Sequence, residues 1–314
     1  MRGIAGCNNP SGLAMKIIEC VPNFSEGCNQ ATIVAIARVF ESFPAVRLLD
    51  FSGDADHNRS VYTFLGRADD VLEAALAASG RALELIDMCF QEGVHPRLGA
   101  VDVVPFVPLA AATMEDAIEI AHHFGRELHE RFGVPVYFYG EAALVDQRRE
   151  LAYVRRGGYE ALEEKMSIPE GAPDIGQPLF NERCGATAVG ARMPLVAYNI
   201  NLASNDLLLA RKIAGRIREK NGGLKSVRAI GVMLKSRNIA QVSMNLVNYH
   251  ETPLKPVFDL VKLLASRHGV EILESELIGL APEGAFAGTT PEYLQLKDFD
   301  ADRLLETHIK KFAP

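Results

Sequence analysis

The chain of 314 residues lacks the sequence marks of several protein classes. It has 5 cysteines, an odd number, and no two of them form a Cys-x-x-Cys pair. Neither a zinc ribbon nor a redox dithiol is therefore indicated, and reduced thiols favour a cytoplasmic location. No apolar run reaches the length of a membrane span, so no membrane partner is expected.

Positive charge is also scarce, because 33 lysines and arginines face 40 aspartates and glutamates, for a net charge of −7. This balance argues against nucleic acid as a partner, and an anionic substrate would need a local basic pocket. The phosphate-binding pattern Gly-x-x-x-x-Gly-Lys-Ser/Thr is absent, so nothing supports a nucleotide ligand. Residues 1–14 lack the apolar stretch of a signal peptide and are expected to form a disordered extension.

Hydrophobic residues make up 48% of the chain, enough for a large core, and their spacing predicts the order β-α-β-β-α-β twice. The fold class is therefore α/β (α+β), with helices packed on mostly antiparallel sheets. The predicted strands are Lys16–Val21, Val46–Asp50, Arg59–Gly66, Val101–Val107, Val134–Tyr139, Leu195–Leu202, Val227–Leu234, Ala240–Val247 and Val270–Leu273. The predicted helices are Asn29–Phe43, Asp69–Met88, Thr113–Phe132, Asn205–Lys220 and Pro253–Arg267.

The segment from Gly93 to Asp102 is the most informative in the sequence. Pro96 pushes His95 toward an extended conformation, so this histidine is not expected inside a helix. An imidazole suits proton transfer near neutral pH, and Arg97 offers a planar cation that matches a carboxylate. The alternative is a structural histidine in a Pro-Arg turn. Cys89 lies close in sequence, but the end of an apolar helix favours a buried structural thiol over a nucleophile.

Two other segments carry chemically useful residues. The loop from Asp54 to Arg59 holds two carboxylates and a histidine; we interpret it first as an active-site hairpin, then as a solvated turn, then as a metal site. The glycine-rich stretch 176–192 can let a flat ligand approach the backbone, and Arg183 and Arg192 can meet carboxylates. An ordinary interdomain linker is the alternative for that stretch.

Several of these stretches together resemble the glutamate formimidoyltransferase (formiminotransferase) family, which includes the transferase half of the vertebrate formiminotransferase–cyclodeaminase. The similarity extends from about Met15 to Leu280. Its most specific part is Gly93-x-His95-Pro96-Arg97-x-Gly99-Ala100-x-Asp102-Val103. The other stretches that carry it are Glu19–Gly27, Asn58–Phe64, Leu85–Met88, Gly185–Thr187, Gly190–Arg192, Asn199–Leu202 and Gln241–Leu246.

The resemblance implies transfer of a formimino group from N-formimino-L-glutamate to tetrahydrofolate, a co-substrate, in histidine degradation, with no metal. It implies a homodimer of chains with two ferredoxin-like subdomains, 15–194 and 195–314, and no cyclodeaminase activity. The family's catalytic histidine falls on His95. Its folate-binding loop falls on Gly176, Gln177, Pro178, Leu179, Phe180, Asn181, Glu182, Arg183, Cys184 and Gly185. The departures from vertebrate members are Ser52 in place of an acid, Gln91 in place of a histidine, and Ile175 and Gln177 at the start of the loop.

The chemistry of this transfer suggests roles for further residues. His95 can take a proton from the folate nitrogen and deliver it to the departing amine. Arginines can clamp the glutamate carboxylates, and an asparagine can hold the tetrahedral centre. The candidates are Arg59, Arg97 and Arg192 for the clamp, Asn23 or Asn58 for the centre, and Asp54 or Asp56 for the acid missing at Ser52. Formyl transfer from N-formylglutamate, or folate binding without turnover, are the alternative functions.

Overall fold

The computed structural model of the chain describes residues 15–55, 58–93, 96–234, 237–297 and 299–312. The predicted N-terminal extension, residues 1–14, lies outside these ranges, as do Asp56, His57 and His95.

The first half is built on one sheet of seven strands. They are β1 (Ile18–Cys20), β2 (Asn23–Phe24), β3 (Val46–Asp54), β4 (Arg59–Gly66), β5 (Val101–Pro108), β6 (Val136–Gly140) and β7 (Thr187–Ala191). β1 and β2 are two pieces of one central strand, because both pair antiparallel with β4 on one side and with β5 on the other. Pro22 lies at the break, where it cannot donate a ladder hydrogen bond. The order is then β3, β4, β1/β2, β5, β7, β6, with β7 parallel to both neighbours.

Three helices cover one face of this sheet: α1 (Gln30–Ala37), α2 (Ala68–Leu85) and α3 (Met114–Phe132). The sequence sets the start of α3, because Thr113 and Asp116 form a reciprocal capping box. Two short helices, α4 (Leu151–Val154) and α5 (Leu162–Met166), lie in the segment between β6 and β7. Buried side chains of that segment pack with Tyr137 and Val103, so it covers part of the opposite face.

The second half repeats the topology with a four-stranded antiparallel sheet. Its elements are β8 (Val196–Leu202), α6 (Leu207–Ile217), β9 (Val227–Leu234), β10 (Ile239–Leu246), α7 (Leu254–Ser266) and β11 (Ile272–Ile278), followed by α8 (Leu305–Phe312). The strand order β11, β8, β10, β9 matches β5, β1/β2, β4, β3 of the first half. Both halves are therefore ferredoxin-like βαββαβ units, and the predicted fold class is confirmed.

Several elements differ from the predictions. The strand β7 lies in a stretch that the sequence indicated as a loop, and its small residues are buried on both faces. The first helix ends at Ala37 and continues as a 3₁₀ turn, and β3 extends four residues further, to Asp54. The predicted subdomain boundary after residue 194 falls in the link 192–195 between β7 and β8.

Candidate active site

A cavity of about 260 Å³ lies between the uncovered face of the first sheet and the second half. Side chains alternate along a strand, so every second residue of the first sheet faces this cavity. The second half contributes uncharged residues from β8, β10, β11 and α8. The first sheet supplies Glu19, Asn23, Asp50, Ser52, Arg59, Thr63 and Tyr139, and the segments beside it add Arg155 and Arg192.

A fully buried carboxylate, Asp102, organises one end of the cavity. Arg59 and Arg155 both form ion pairs with it, and its other oxygen accepts a hydrogen bond from the Leu98 backbone N–H at 2.8 Å. Burial alone would raise the pKa of Asp102, but the two arginine charges and these hydrogen bonds bring it below its usual value. One carboxylate between two guanidinium groups leaves a net positive charge here, as an anionic substrate requires.

The predicted candidates Asn23 and Arg59 are brought together at this end. The Asn23 side-chain oxygen accepts a hydrogen bond from Nε of Arg59 at 2.8 Å, and the Asn23 amide donates to the Val21 carbonyl at 2.8 Å. Burial lowers the pKa of Arg59 to about 10, and Asp102 opposes that shift. Arg59 is therefore oriented on two sides by the protein itself.

Arg155 was not predicted from the sequence. It follows α4 and reaches Asp102 across 53 positions of the chain. No local sequence pattern predicts such a long-range ion pair. The sequence indicates only one of the two partners, Asp102, as the last residue of the segment that begins at Gly93.

The other end of the cavity holds a second buried acid, Glu19, with the predicted candidate Arg192 beside it. Burial raises the pKa of Glu19 from its ordinary value to about 7, and the charge of Arg192 opposes the rise. Arg192 donates to the Met193 carbonyl at 3.0 Å, and its charge opposes the rise that burial causes in the pKa of Tyr139. The sequence does not mark Glu19 as a site residue, because a glutamate inside an apolar run is also typical of an ordinary strand.

The proposed catalytic histidine, His95, lies outside the described residues, but the backbone leading to it is described. Asn58, with φ of +48°, accepts a hydrogen bond from the Gly27 N–H at 2.9 Å. Its amide donates to the Gln91 side chain at 2.6 Å and to the Glu92 carbonyl at 2.8 Å. Asn58 therefore joins three loops beside the His95 segment, and Gln91 is held in place by it.

Arg97 follows the histidine and is almost buried. It donates to the Gln91 carbonyl at 2.7 Å, pairs with Glu160 at 2.9 Å and lies 6.0 Å from the ring centre of Tyr159. It is not among the residues that line the cavity of 260 Å³. Its contacts tie the His95 segment to the segment between β6 and β7.

The predicted folate loop, Gly176–Gly185, lies beside the His95 segment but does not line that cavity. Its end approaches the backbone of residues 98–100, where the Cys184 carbonyl accepts from the Ala100 N–H at 2.9 Å. Gly185 has φ of +64°, and a Cβ there would lie 2.2 Å from the Leu98 carbonyl oxygen. The loop instead borders two open hollows: one of about 390 Å³, with Arg183, and one of about 590 Å³, with Leu179 and Phe180.

Asp54 ends β3 opposite Arg59 of β4, while Asp56 and His57 lie outside the described ranges. Within the part of the chain that the structure describes, no group of three or more His, Cys, Asp or Glu side chains can hold a metal ion. No helix among the described residues is long and apolar enough to cross a membrane.

Cys89 corrects an expectation, because its thiol is exposed rather than buried. The helix α2 ends at Leu85, so the cysteine follows it in a short 3₁₀ turn. The side chain of Asp87 raises the pKa of the Cys89 thiol, mainly through a hydrogen bond. This shift disfavours the thiolate that a nucleophile requires.

Comparison with known protein families identifies the class as a transferase that moves formimino groups. The model of the formiminotransferase domain, N-terminal subdomain, matches residues 17–192, and that of the formiminotransferase domain matches residues 197–310. The chain therefore belongs to the formiminotransferase family, and the predicted resemblance is confirmed.

Individual relatives agree with this assignment. The chain is 45% identical to glutamate formimidoyltransferase of Streptococcus pyogenes over 94% of this chain and 99% of that protein. It is 42% identical to the enzyme of the same name from Thermoplasma acidophilum, over 95% of this chain and 99% of that protein. It is 46% identical to formimidoyltransferase-cyclodeaminase of Gallus gallus, over 89% of this chain but only 53% of that protein.

Proposed function

We propose that the chain transfers the formimino group from N-formimino-L-glutamate to tetrahydrofolate and releases L-glutamate, in histidine degradation. The observation that carries this proposal is the match of both formiminotransferase models, one on each side of the cavity. A relative named glutamate formimidoyltransferase, matched over 99% of its length, supports glutamate as the released product.

The reaction requires the transfer of one proton from the folate nitrogen to the departing amine. A folate nitrogen attacks the formimino carbon, a C–N bond forms, and His95 takes the proton from that nitrogen. The bond between the carbon and the glutamate nitrogen then breaks, and His95 returns the proton to the departing amine. This role rests on the motif around His95, on the backbone that Asn58 and Arg97 hold, and on the ordinary pKa range of imidazole.

The glutamate carboxylates are negatively charged and need cations. The pair of arginines on Asp102 leaves one positive charge at the cavity end that contains Asn23. Because Arg59 is already oriented by Asn23 and Asp102, it can bind a carboxylate without first losing side-chain entropy. In this proposal Arg59 and Arg155 bind the donor, and Arg97 holds the loop rather than the substrate.

The function is tested by incubating the protein with formiminoglutamate and tetrahydrofolate and measuring glutamate release. A parallel reaction with N-formylglutamate distinguishes formimino from formyl transfer. Release of glutamate from the formimino donor alone, and only with tetrahydrofolate present, is expected. Binding of tetrahydrofolate without any glutamate release would reject the proposal in favour of a folate-binding protein.

The role of His95 is tested by His95→Asn, which keeps size and some hydrogen bonding but cannot shuttle a proton. Turnover should fall by about 10²–10⁴-fold, the usual contribution of general acid–base catalysis, with tetrahydrofolate affinity within a few-fold of the wild type. The matched control is His123→Asn, whose imidazole on α3 is half exposed. Near-normal turnover of His95→Asn would place the proton shuttle elsewhere, and His57 would be tested next.

We also propose that the loop Gly176–Gly185 binds folate and that Arg183 forms an ion pair with the glutamate tail of folate. Arg183 is exposed, and its described side-chain hydrogen bond is a long one of 3.3 Å to the Glu84 carbonyl. Arg183→Glu should therefore weaken folate binding by about 10-fold, as for one charge-assisted contact, without unfolding the chain. Equal affinities of variant and wild type in titration calorimetry would remove Arg183 from the site.

We further propose a cytoplasmic homodimer whose chains divide into subdomains 15–194 and 195–314. The separate hydrophobic cores of the two halves support this division. Light scattering should give twice the chain mass of 34.3 kDa, and a species of that single mass at micromolar concentration would reject the dimer.

A further inference from the structure

The segment that carries His95 depends on side chains for its position. The described residues from Gln91 to Arg97 belong to no helix or strand. Gly93 adds backbone freedom, and Pro96 has no backbone N–H to donate. The side chains that contact the two ends of this segment therefore decide where it lies.

A chain of hydrogen bonds reaches the start of the segment from the loop that follows β2. The Glu26 carboxylate uses one oxygen to accept from the backbone N–H groups of Cys28 and Asn29, at 2.8 Å each. Its other oxygen accepts from the side-chain amide nitrogen of Gln91 at 3.2 Å. The side-chain oxygen of Gln91 accepts from the Asn58 amide at 2.6 Å. Gln91 is thus the link between Glu26 and Asn58.

The donor direction of this chain is fixed at both ends. At one end, the Asn58 side-chain oxygen accepts from the Gly27 N–H and its amide nitrogen donates to the Glu92 carbonyl, so this amide cannot be turned over. At the other end, the ionised carboxylate of Glu26 offers only acceptors. A side chain at position 91 must therefore accept on the Asn58 side and donate on the Glu26 side.

A glutamine meets this requirement at every pH, because its amide does not titrate. A carboxylate in its place would accept on both sides and would face the charge of Glu26. A protonated imidazole would donate on both sides and would oppose the Asn58 donor. The residue type at position 91 thus keeps the chain of hydrogen bonds independent of pH.

We propose that Gln91 is a positioning residue, which places the segment that carries His95 for proton transfer. Its main-chain carbonyl also accepts from Arg97 at 2.7 Å, so the contacts of Gln91 hold the segment before and after the histidine. Both amide hydrogens of Asn58 are used within the protein, and Asn58 therefore positions the loop instead of holding the tetrahedral centre. The inference rests on the proposed function, because it takes His95 to be the proton shuttle.

The other end of this network lies next to the proposed binding site for the donor. A Cβ at Gly27 would lie 2.3 Å from the backbone nitrogen of Arg59, so the two backbones are in close contact. Arg59 directly follows Asn58 in the chain. The same packing therefore positions the arginine and, through Asn58 and Gln91, the segment that carries His95.

The test exchanges the two side chains of the Gln91–Glu26 contact and measures kcat and KM for glutamate release. Gln91→Glu sets two carboxylates against each other, and Glu26→Gln sets two amide donors against each other. Each single variant should lower kcat by about 10- to 100-fold, as for a misplaced catalytic group, with KM for both substrates within a few-fold of the wild type. The double variant again pairs one donor with one acceptor and should return kcat to within a few-fold of the wild type.

A second measurement uses Gln91→His, whose imidazole can accept from Asn58 and donate to Glu26 only while it is neutral. The charged groups that contact Gln91 in the described part of the chain are Glu26 and Arg97. The ratio of variant to wild-type kcat should be near one at about pH 8.5 and several-fold lower at about pH 6. The titration of His95 is common to both proteins and cancels from the ratio.

The matched control is Gln147→Glu, which introduces the same charge at an exposed glutamine in the 3₁₀ turn after β6 and should keep kcat. Thermal unfolding checks that each variant is folded. Gln91→His at the higher pH keeps the wild-type donor direction, so it tests the inference even where a charge variant unfolds.

Several results would overturn the inference. They are near-normal kcat in Gln91→Glu, a folded double variant no more active than the single variants, or a kcat ratio of Gln91→His that does not change with pH. A raised KM for formiminoglutamate with unchanged kcat would instead assign Gln91 to donor binding. These outcomes leave the proposed function intact, whereas a wild type that releases no glutamate contradicts the proposed function itself.

Discussion

The two βαββαβ halves share a topology but treat the polar groups on their uncovered sheet faces differently. In the second half, Asn201 donates to Glu274 at 3.0 Å and to Glu276 at 2.7 Å, and accepts from Gln241 at 2.8 Å. Arg237 pairs with both glutamates and balances part of their charge. The polar side chains on the uncovered face of the second sheet thus pair with one another.

The first sheet differs in the sign of its surplus charge and in the depth of its acids. Asp102 is shared by two arginines, which leaves a surplus positive charge, and Glu19 is a buried acid whose pKa is raised to about 7 by burial. Buried ionisable groups with perturbed pKa values cluster at functional sites. The comparison therefore supports the proposal that the first sheet recognises the substrate and that the second half forms a wall of the cavity.

The largest expected effect on stability comes from removing the buried negative charge of Asp102 in the first half. Asp102→Asn leaves two buried arginines facing each other, and breaking such a buried pair costs about 3–5 kcal/mol of folding free energy. Urea unfolding at pH 7 measures this loss. Glu276→Gln in the second half, whose carboxylate is partly exposed, serves as the control and should lose about 1 kcal/mol or less. Similar losses in the two variants would contradict the comparison.

An intermediate effect is expected from Glu19 in the ligand-free protein, and its sign depends on pH. The folded-state pKa of about 7 lies above the value of about 4.3 in unfolded chains, so ionisation of Glu19 disfavours the folded state. The stability that protonated Glu19 provides is present at acidic pH and is lost as the pH rises through 7.

Glu19→Gln should therefore be more stable than the wild type at pH 8, by on the order of 2 kcal/mol, and no more stable at pH 5. Thermal unfolding at both pH values without folate measures this difference. A variant that is less stable than the wild type at pH 8 would show that the ionised carboxylate has partners in the folded protein after all.

The smallest effect is expected in the second half. Arg237 is 39% exposed, so water screens its ion pairs with Glu274 and Glu276. Arg237→Met should cost about 1 kcal/mol or less, and the loss should shrink further at high salt. Urea unfolding at low and high ionic strength measures it, and a loss as large as that of Asp102→Asn would remove the contrast between the two faces.

The sequence was enough to predict both βαββαβ units, because apolar alternation and helical periodicity are local signals. It missed β7, since Thr-Ala-Val-Gly-Ala carries small residues without an alternating pattern, and the strand is defined by its neighbours β5 and β6. The intrinsic preferences of residues cannot predict a strand that forms only because it pairs with strands distant in the sequence.

The site was predictable only in part. Asn23, Arg59 and Arg192 were chosen by residue type, and the structure places all three along one cavity. Arg155 was missed because its partner lies 53 residues away, and no local pattern encodes that contact. Glu19 did leave a signal, a lone acid inside an apolar strand, but only burial in the fold gives that acid its unusual pKa.

The insertion of β7 between β5 and β6 governs the order in which the site can be completed during synthesis. Residues 15–108 contain a whole βαββαβ unit, so Asp102 can meet Arg59 as soon as this part leaves the ribosome. Arg155 and β7 emerge later, and β7 must then enter the sheet in parallel register, a slow, non-local step. We therefore expect the nascent protein to form its first core before its cavity has acquired the second arginine.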